Sequence, residues 1–372
     1  MKAHETKPAR NTGRLFLLLV AALLLGPRWA GGQNDWRAKW DQTVAAAKNE
    51  GLVVVTGPPF AKTRLELERS FGKRFGFKLE YLGVEGAAAV TRVEREAVVG
   101  RPTVDAMLGG NTELFNLFRA GRLAPLKDKL ILPEILEAKN WRGGQLKFND
   151  PEKQYFLQTI EFVPADLVVN TSVLQAQTIS SWKDLLKPEY QGRIATYDPR
   201  GSGQGAAVAA YLLELFGPEF VKQLYLGQKL IYTRDRRQLA DWVSRGTYPI
   251  ALGVTPPSLI EAQQLGLPVE RVFPKDGPGG LTGSNGVMKL VRNAPHPNAA
   301  RVFINWFPGR EAQEIFQRTS NQFSRRSDIG LSGVPDLFLP KEGVKYSDKY
   351  SYEYTVEHLP KARKMLSEIL GR

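Results

Sequence analysis

Cysteine is absent from all 372 positions of this chain. That absence excludes disulfides, thiol catalysis, Cys-ligated metals and a lipid-modified N-terminal cysteine. Histidine is nearly as scarce, with three in total. His296 sits in a Pro295-His296-Pro297 turn and His358 in the C-terminal tail, so both read as surface residues and not as ligands or bases. Long apolar runs are also missing. The longest, Leu15 to Leu25, is 11 residues, too few to span a bilayer, and no later stretch approaches that length. The chain shows no internal repeat, no low-complexity block and no basic run interleaved with aromatics of the kind that binds nucleic acid.

What is present at the N-terminus reads as an export signal. Lys2, Lys7, Arg10 and Arg14 precede the apolar run, and Ala30-Gly31-Gly32 supplies small residues before a cut ahead of Gln33. Residues 1–32 are therefore expected to be a signal peptide, and the mature chain to be a soluble periplasmic protein. An uncleaved membrane anchor is the alternative. The formal charge of +13 falls to about +9 when those residues are removed. A positive field of that size would gather anionic solutes.

The remaining length suits two domains. Trp36, Trp40 and Val44 share one helical face over residues 36–49. Leu52–Thr56 is a continuous apolar strand, and Leu67, Phe71 and Phe75 line the helix after it. A second strand at 77–82, a helix at 88–99 with Arg92 and Glu96 at i, i+4, a third strand at 104–108 and a helix ending near Gly121 follow. Three β-loop-α units in a row predict a doubly wound parallel sheet whose ligands gather at the C-terminal strand ends. Those ends are Thr56 to Phe60, Leu82 to Gly86 and Gly109 to Thr112. Asn111 or Thr112 capping the next helix is the structural alternative there.

The stretch 156–169, with Pro164 inside it, reads as a strand passing from one domain to the other, and the Gly/Pro cluster 274–280 as the way back. Between them strands at 194–197, 230–233, 249–254 and 269–273 alternate with helices at 206–216, 218–227 and one that Asp235 caps. The organising element of this half is ATYDPRGSGQGAAVAAYLLELF, residues 195–216. It runs from strand through a glycine-rich turn into an apolar helix, and so offers backbone N–H groups at a helix N-terminus, with Arg200 and Ser202 beside them, to an anion. A turn that merely starts a helix is the plainer reading of the loop alone. The match of 201–206 to G-x-G-x-x-A is weak, because it lies mid-chain and the acidic residue expected about twenty positions on, after a second strand, is not evident. No G-x-S-x-G elbow precedes a helix either, so an enzyme is not expected.

Four stretches, taken together and in order, resemble the extracellular solute-binding proteins of bacterial ABC importers, in the ferric-iron-type branch. They are residues 90–126, 181–207 (SWKDLLKPEYQGRIATYDPRGSGQGAA), 237–253 (RQLADWVSRGTYPIALG) and 266–277 with 284–307. The resemblance implies an α/β, two-lobed periplasmic-binding-protein fold (type II), each lobe a doubly wound sheet, joined by crossing strands and closing on a solute. It also implies delivery of that solute to an inner-membrane ABC permease. Lobe one is expected at 33–160 plus 277–324 and lobe two at 161–276, with the tail 325–372 unassigned. Ferric-iron members hold the metal with adjacent tyrosines. At the corresponding place this chain has Val254-Thr255-Pro256-Pro257-Ser258, and no Tyr-Tyr pair occurs anywhere.

The expected ligand is thus a small organic anion (a carboxylate, phosphonate or sugar phosphate), with no cofactor and no protein-bound metal, and the protein acts as a monomer. Arg200, Ser202, Gly203 and Gln204 are the expected contacts from lobe two, with Thr255 and Ser258 beside them. Gly110, Asn111 and Thr112 serve from lobe one, with Pro59 and Phe60 as an apolar wall. Ferric iron is the alternative solute, and a sensory receptor the alternative partner. Glu161 in the crossing strand is placed to meet a cationic group or to be a solvated hinge residue, Arg234 to reach the cleft or to belong to a charged helix start, and Tyr350, Tyr352 and Tyr354 to pack.

Overall fold

The computed structural model describes residues 31–371 apart from positions 85, 112, 113, 202, 278, 284 and 332–335. The expected signal peptide, save Gly31 and Gly32, and the site positions Thr112 and Ser202 lie outside the described residues.

Two separate β-sheets form the cores of two lobes. In the first, the apolar strand Leu52–Gly57 lies between Lys78–Gly83 and Ala106–Gly109, all three parallel. This is the arrangement expected from three successive β-loop-α units. The helix Ala61–Phe75 buries Leu67, Phe71 and Phe75, where Phe71 meets Phe303 and Trp306 of the helix Pro297–Trp306. Gly76 ends the first of these helices in the left-handed region (φ 76°), a conformation that favours glycine. The helix Gly31–Glu50 packs on Pro297–Trp306, and the Glu50 carboxylate accepts from the backbone N–H groups of Asn298 and Ala299. A distant carboxylate thereby caps a helix whose own cap residue, His296, supplies no side-chain bond.

The sheet does not stay parallel. Val287–Val291, coming from the far part of the sequence, lies antiparallel beside Ala106–Gly109, followed by Leu157–Gln158 and Lys147–Phe148. The second sheet has five strands in the order Val269–Arg271, Leu167–Asn170, Ile250–Leu252, Ile194–Tyr197, Ile231–Thr233. Its last three strands are parallel and its first two are antiparallel to their neighbours. The helices expected at 206–216 and 218–227 are one run, Gln204–Lys222, kinked where Gly217 takes φ 78° and ψ 178° ahead of Pro218. A proline lacks the N–H that would continue the ladder, so the two halves meet at an angle. Asp235 caps Arg236–Ser244 as expected, accepting from the N–H of Arg237 and Gln238.

Three passes of chain connect the lobes. The segment after Leu157–Gln158 pairs at Ile160 with Ser324 and at Phe162 with Thr282. The returning segment pairs at Gly280–Leu281 with Ser347–Asp348 of the tail. The tail then ends in the helix Leu359–Leu370, which packs against Gln204–Lys222 of the second lobe.

Candidate functional site

Strand register fixes which end of each sheet faces the crossing segments. In the first sheet Gly57 pairs with Gly83, Val287 with both Gly109 and Gln158, and Lys147 with Gln158. Gly83, Gly57, Gly109, Val287, Gln158 and Lys147 thus form one rim, because the first crossing leaves directly from Gln158. In the second sheet Leu252 pairs with Leu167 and Thr196, Tyr197 with Thr233, and Val168 with Arg271. Leu167 is where the same crossing arrives, so the Arg271, Leu167, Leu252, Tyr197 and Thr233 ends form the facing rim.

On the first rim the Tyr81 ring fills the space a Cβ at Gly57 would need, and its hydroxyl donates to the Pro58 carbonyl (3.0 Å). This pins the Pro58-Pro59 turn, leaving Pro59 exposed and Phe60 half-buried. Thr56 is fully buried, yet its Oγ1 has no hydrogen-bond partner. Gly110 is partly exposed, and Asn111 is 1% exposed. Asn111 does not cap the helix Leu114–Arg119 with its side chain. Its Nδ2 donates to the Tyr350 carbonyl (2.7 Å), and its Oδ1 has no partner. A buried acceptor left unmatched costs on the order of 1–3 kcal/mol, which makes both atoms places where a ligand would repay that cost.

Lys289 was not anticipated. Its Nζ is fully buried and donates to the carbonyls of Gly109, Gly110 and Val287, each at 2.9 Å. The available signal was a lone charge in the apolar strand Val287–Val291.

On the second rim Gly203 opens the helix Gln204–Lys222 with φ 108° and no side-chain cap. A Cβ at Gly205 would collide with the backbone of Tyr197, and one at Gly253 would lie 3.2 Å from the Gly205 nitrogen. These two glycines seat the helix start directly on the strand ends. Thr255 begins the neighbouring helix Pro256–Gln264, and its hydroxyl lies 2.9 Å from that of Ser258, both partly exposed. Gln204 donates from Nε2 to Asp166 Oδ1 (2.7 Å) at the end of the first crossing.

Arg200 stands on this rim with its guanidinium engaged. Nε and Nη2 reach the two oxygens of Asp198 (2.8 and 3.0 Å), the guanidinium lies over the Tyr232 ring, and Arg234 donates to the same carboxylate (3.0 Å). Burial disfavours the charge on Asp198, but the hydrogen bonds from Arg200 and Arg234 outweigh it and hold the carboxyl at about 2. Arg234 is thus a partner of Asp198 and not a bare helix start. Glu161 meets cations of this chain, Lys147 (2.9 Å) and Arg325 (3.6 Å). His296 is tied to the fully buried Asp105, 2.9 Å from Nδ1, and is not a free surface residue.

The tail joins the rims. Tyr350 receives Asn111, Tyr352 packs on Phe115 and Phe118, and Tyr354 stacks on His358. Between them Lys349 reaches Asp166 Oδ2 (3.5 Å) and lies 3.8 Å over the Tyr211 ring. Asp166 is therefore shared by the tail and by Gln204.

Two α/β lobes with strand ends facing across crossing segments are the architecture of a binding protein that closes on a solute. The profile of the family described as bacterial extracellular solute-binding protein matches residues 114–328, more than half of the chain. The chain belongs to that family. A curated relative, the Fe(3+)-binding periplasmic protein of Serratia marcescens, is 28% identical over 168 residues, which are 44% of this chain and 48% of the relative. The chain thus matches about half of that relative's length. Among solved structures, the ferric binding protein from Campylobacter jejuni aligns with a TM-score of 0.67 at 16% identity, covering 85% of this chain and 99% of that one. The periplasmic binding protein AfuA from Actinobacillus pleuropneumoniae, with exogenous fructose-6-phosphate bound, gives 0.65 at 19% identity, covering 87% and 99%. At these identities the likeness establishes the two-lobed fold of solute-binding proteins and leaves the solute open.

Proposed function

We propose that this chain is the periplasmic solute-binding component of an ABC importer, holding a small organic anion between the two rims and delivering it to an inner-membrane permease. The expected signal peptide supports export, and membership of an extracellular family agrees with it. The observation that carries the choice of an anion is the start of Gln204–Lys222. The helical run that extends from Gln204 to the kink at Gly217 opens at the rim with glycine at its cap, and among the described residues no side chain bonds its first-turn N–H groups. Such an end attracts negative charge, and Gly203 leaves it accessible. Asn111, Gln204, Thr255 and Ser258 supply orienting polar contacts in this reading, and Phe60 an apolar wall.

Ferric iron is the second reading, favoured by the printed function of the Serratia marcescens relative. Against it stands the chemistry of the donors after Ile250–Leu252. Thr255 and Ser258 offer neutral hydroxyls, where hard Fe(III) favours anionic oxygens.

Thermal melting of the mature protein against a panel of carboxylates, phosphonates, sugar phosphates and ferric citrate tests the reading. A solute that binds only the folded form at 100 times its Kd adds about 2.7 kcal/mol. The expected result is a shift with one organic anion that Asn111→Ala or Gln204→Ala abolishes. A shift with ferric citrate alone overturns it.

A further inference from the structure

A second group of polar side chains borders the first rim where the crossing leaves it. Arg325 is 4% exposed, and its Nη2 donates to the Arg142 carbonyl (2.8 Å). Its Nη1 and Nε are buried without a hydrogen-bond partner, the nearest acid being Glu161 at 3.6 Å. Arg142 is half-buried on the loop that carries Gly143 and Gly144 at φ 78° and 66°, and its guanidinium makes no hydrogen bond to the described protein. Lys147 stands at the rim position paired with Gln158, 2.9 Å from Glu161 and 3.7 Å from Asp348. Gln158 is fully buried and donates to Glu161 Oε2 (3.2 Å).

Lys147 and Arg325 therefore share Glu161, Arg142 feels that carboxylate without pairing to it, and Arg325 is nine-tenths buried with donors left over. Burial pushes both guanidinium groups below their ordinary range, and repulsion from Arg325 adds to the effect on Arg142. A buried charge with unmatched donors is costly unless an anion completes it. A planar guanidinium beside a second one is a favoured receptor for carboxylate or phosphate oxygens.

We propose that Arg325, Arg142 and Lys147 form an anion subsite beside the crossing, which takes a carboxylate or phosphate group of the solute, with Glu161 holding the site until it arrives. This rests on the reading of the cleft as an organic-anion site, and it adds that the solute presents an anionic group to the first lobe's crossing edge as well as to the helix start of the second. It narrows the solute to one with two anionic groups, or with one long enough to reach both.

Inorganic phosphate is the probe, titrated into the full mature chain by melting and by calorimetry at constant ionic strength. Arg325→Met removes a buried side chain and is open to misfolding, so the deciding variants are Arg142→Gln and Glu161→Gln. Phosphate is expected to bind the wild type, at least tenfold more weakly in Arg142→Gln, and more tightly in Glu161→Gln, which removes the competing carboxylate. A merely structural Glu161 would not produce that gain. Equal phosphate affinity in wild type and Arg142→Gln, or no phosphate binding at all, overturns the subsite. Failure of the broader reading looks different: Asn111→Ala and Gln204→Ala leave every response to the organic-anion panel unchanged.

Discussion

Replacing Lys349 with methionine isolates the contact by which the tail holds the second rim. The Lys349 and Asp166 side chains are 7% and 6% exposed, and 3.5 Å separates Nζ from Oδ2. The lysine stem lies so close to Gly280 that a Cβ there would sit 2.5 Å from Cε. Methionine fills that stem but leaves the Asp166 charge in place. Removing one partner of a buried pair costs about 3–5 kcal/mol. Asp166 keeps the Gln204 bond at 2.7 Å, and the lost contact is long for a hydrogen bond, so the lower end, about 3 kcal/mol, is expected. For a lobe-sized cooperative unit that is about 6–12 °C in Tm.

Burial also drives the Lys349 ammonium below its ordinary value. The unfolded chain then holds that proton more tightly, so the charge costs stability at neutral pH and the cost eases as pH rises toward the usual lysine value. It follows that Asp166→Asn with Lys349→Met, which removes both charges, should be at least as stable as wild type. Urea unfolding of the four proteins of this cycle is the assay. A Lys349→Met variant within about 0.5 kcal/mol of wild type, or a double variant that loses the sum of the two single losses, refutes the reasoning.

Gly205→Ala should cost about 3 kcal/mol or more, because the new Cβ meets immovable atoms, 2.6 Å from the Tyr197 carbonyl carbon and 3.2 Å from its Cβ. Denaturant unfolding together with solute titration would register both the strain and the displaced helix start, and an unchanged midpoint would contradict the close seating. Asp198, held at about 2 against an ordinary 3.8, stabilises the fold above the ordinary value and loses that contribution as pH falls through 2. The shift corresponds to about 1–2 kcal/mol once the exposure of Arg234 is discounted. Asp198→Asn should therefore flatten the stability curve between pH 4 and 2, and an acid transition identical to wild type would count against the Arg200–Asp198–Arg234 cluster.

The elements that were legible from the residues are those with a strong local signal. Phe71 and Phe75 on one helical face, the unbroken Leu52–Thr56 run and the Asp235 cap each follow from spacing within a few positions. The helix Arg310–Ser320 went unread because only Ala312, Ile315 and Phe316 break its polar sequence, and its burial depends on packing against Ala61–Phe75. The antiparallel insertion of Val287–Val291 was equally hidden, since its partners lie more than a hundred residues away. The same limit governs the site. A glycine-rich helix start can be recognised locally, as the one at Gly203 and Gln204 was. Which carboxylate claims which arginine depends on the fold, and Arg200 looks free in sequence until Asp198, two residues before it, turns back onto its guanidinium.

The placement of charge gives the clearest physical argument for where this protein acts. A lobe built only for stability would fill its interior with side chains such as Val53, Leu167 and Ile250, since burying charge seldom stabilises a fold more than a well-packed hydrocarbon does. Here Lys289, Arg271, Arg325, Asp166 and Lys349 are all nearly or fully buried, and their side chains lie at or reach toward the two rims and the segments that join them. Several of them touch backbone that defines the rims: Lys289 binds the carbonyls of Gly109 and Gly110, and Arg271 donates to that of Val163 in the first crossing. Their desolvation is met during folding, before any solute arrives. A solute entering between the rims would therefore find oriented donors and acceptors that need little further ordering, and more of its interaction energy would remain for binding.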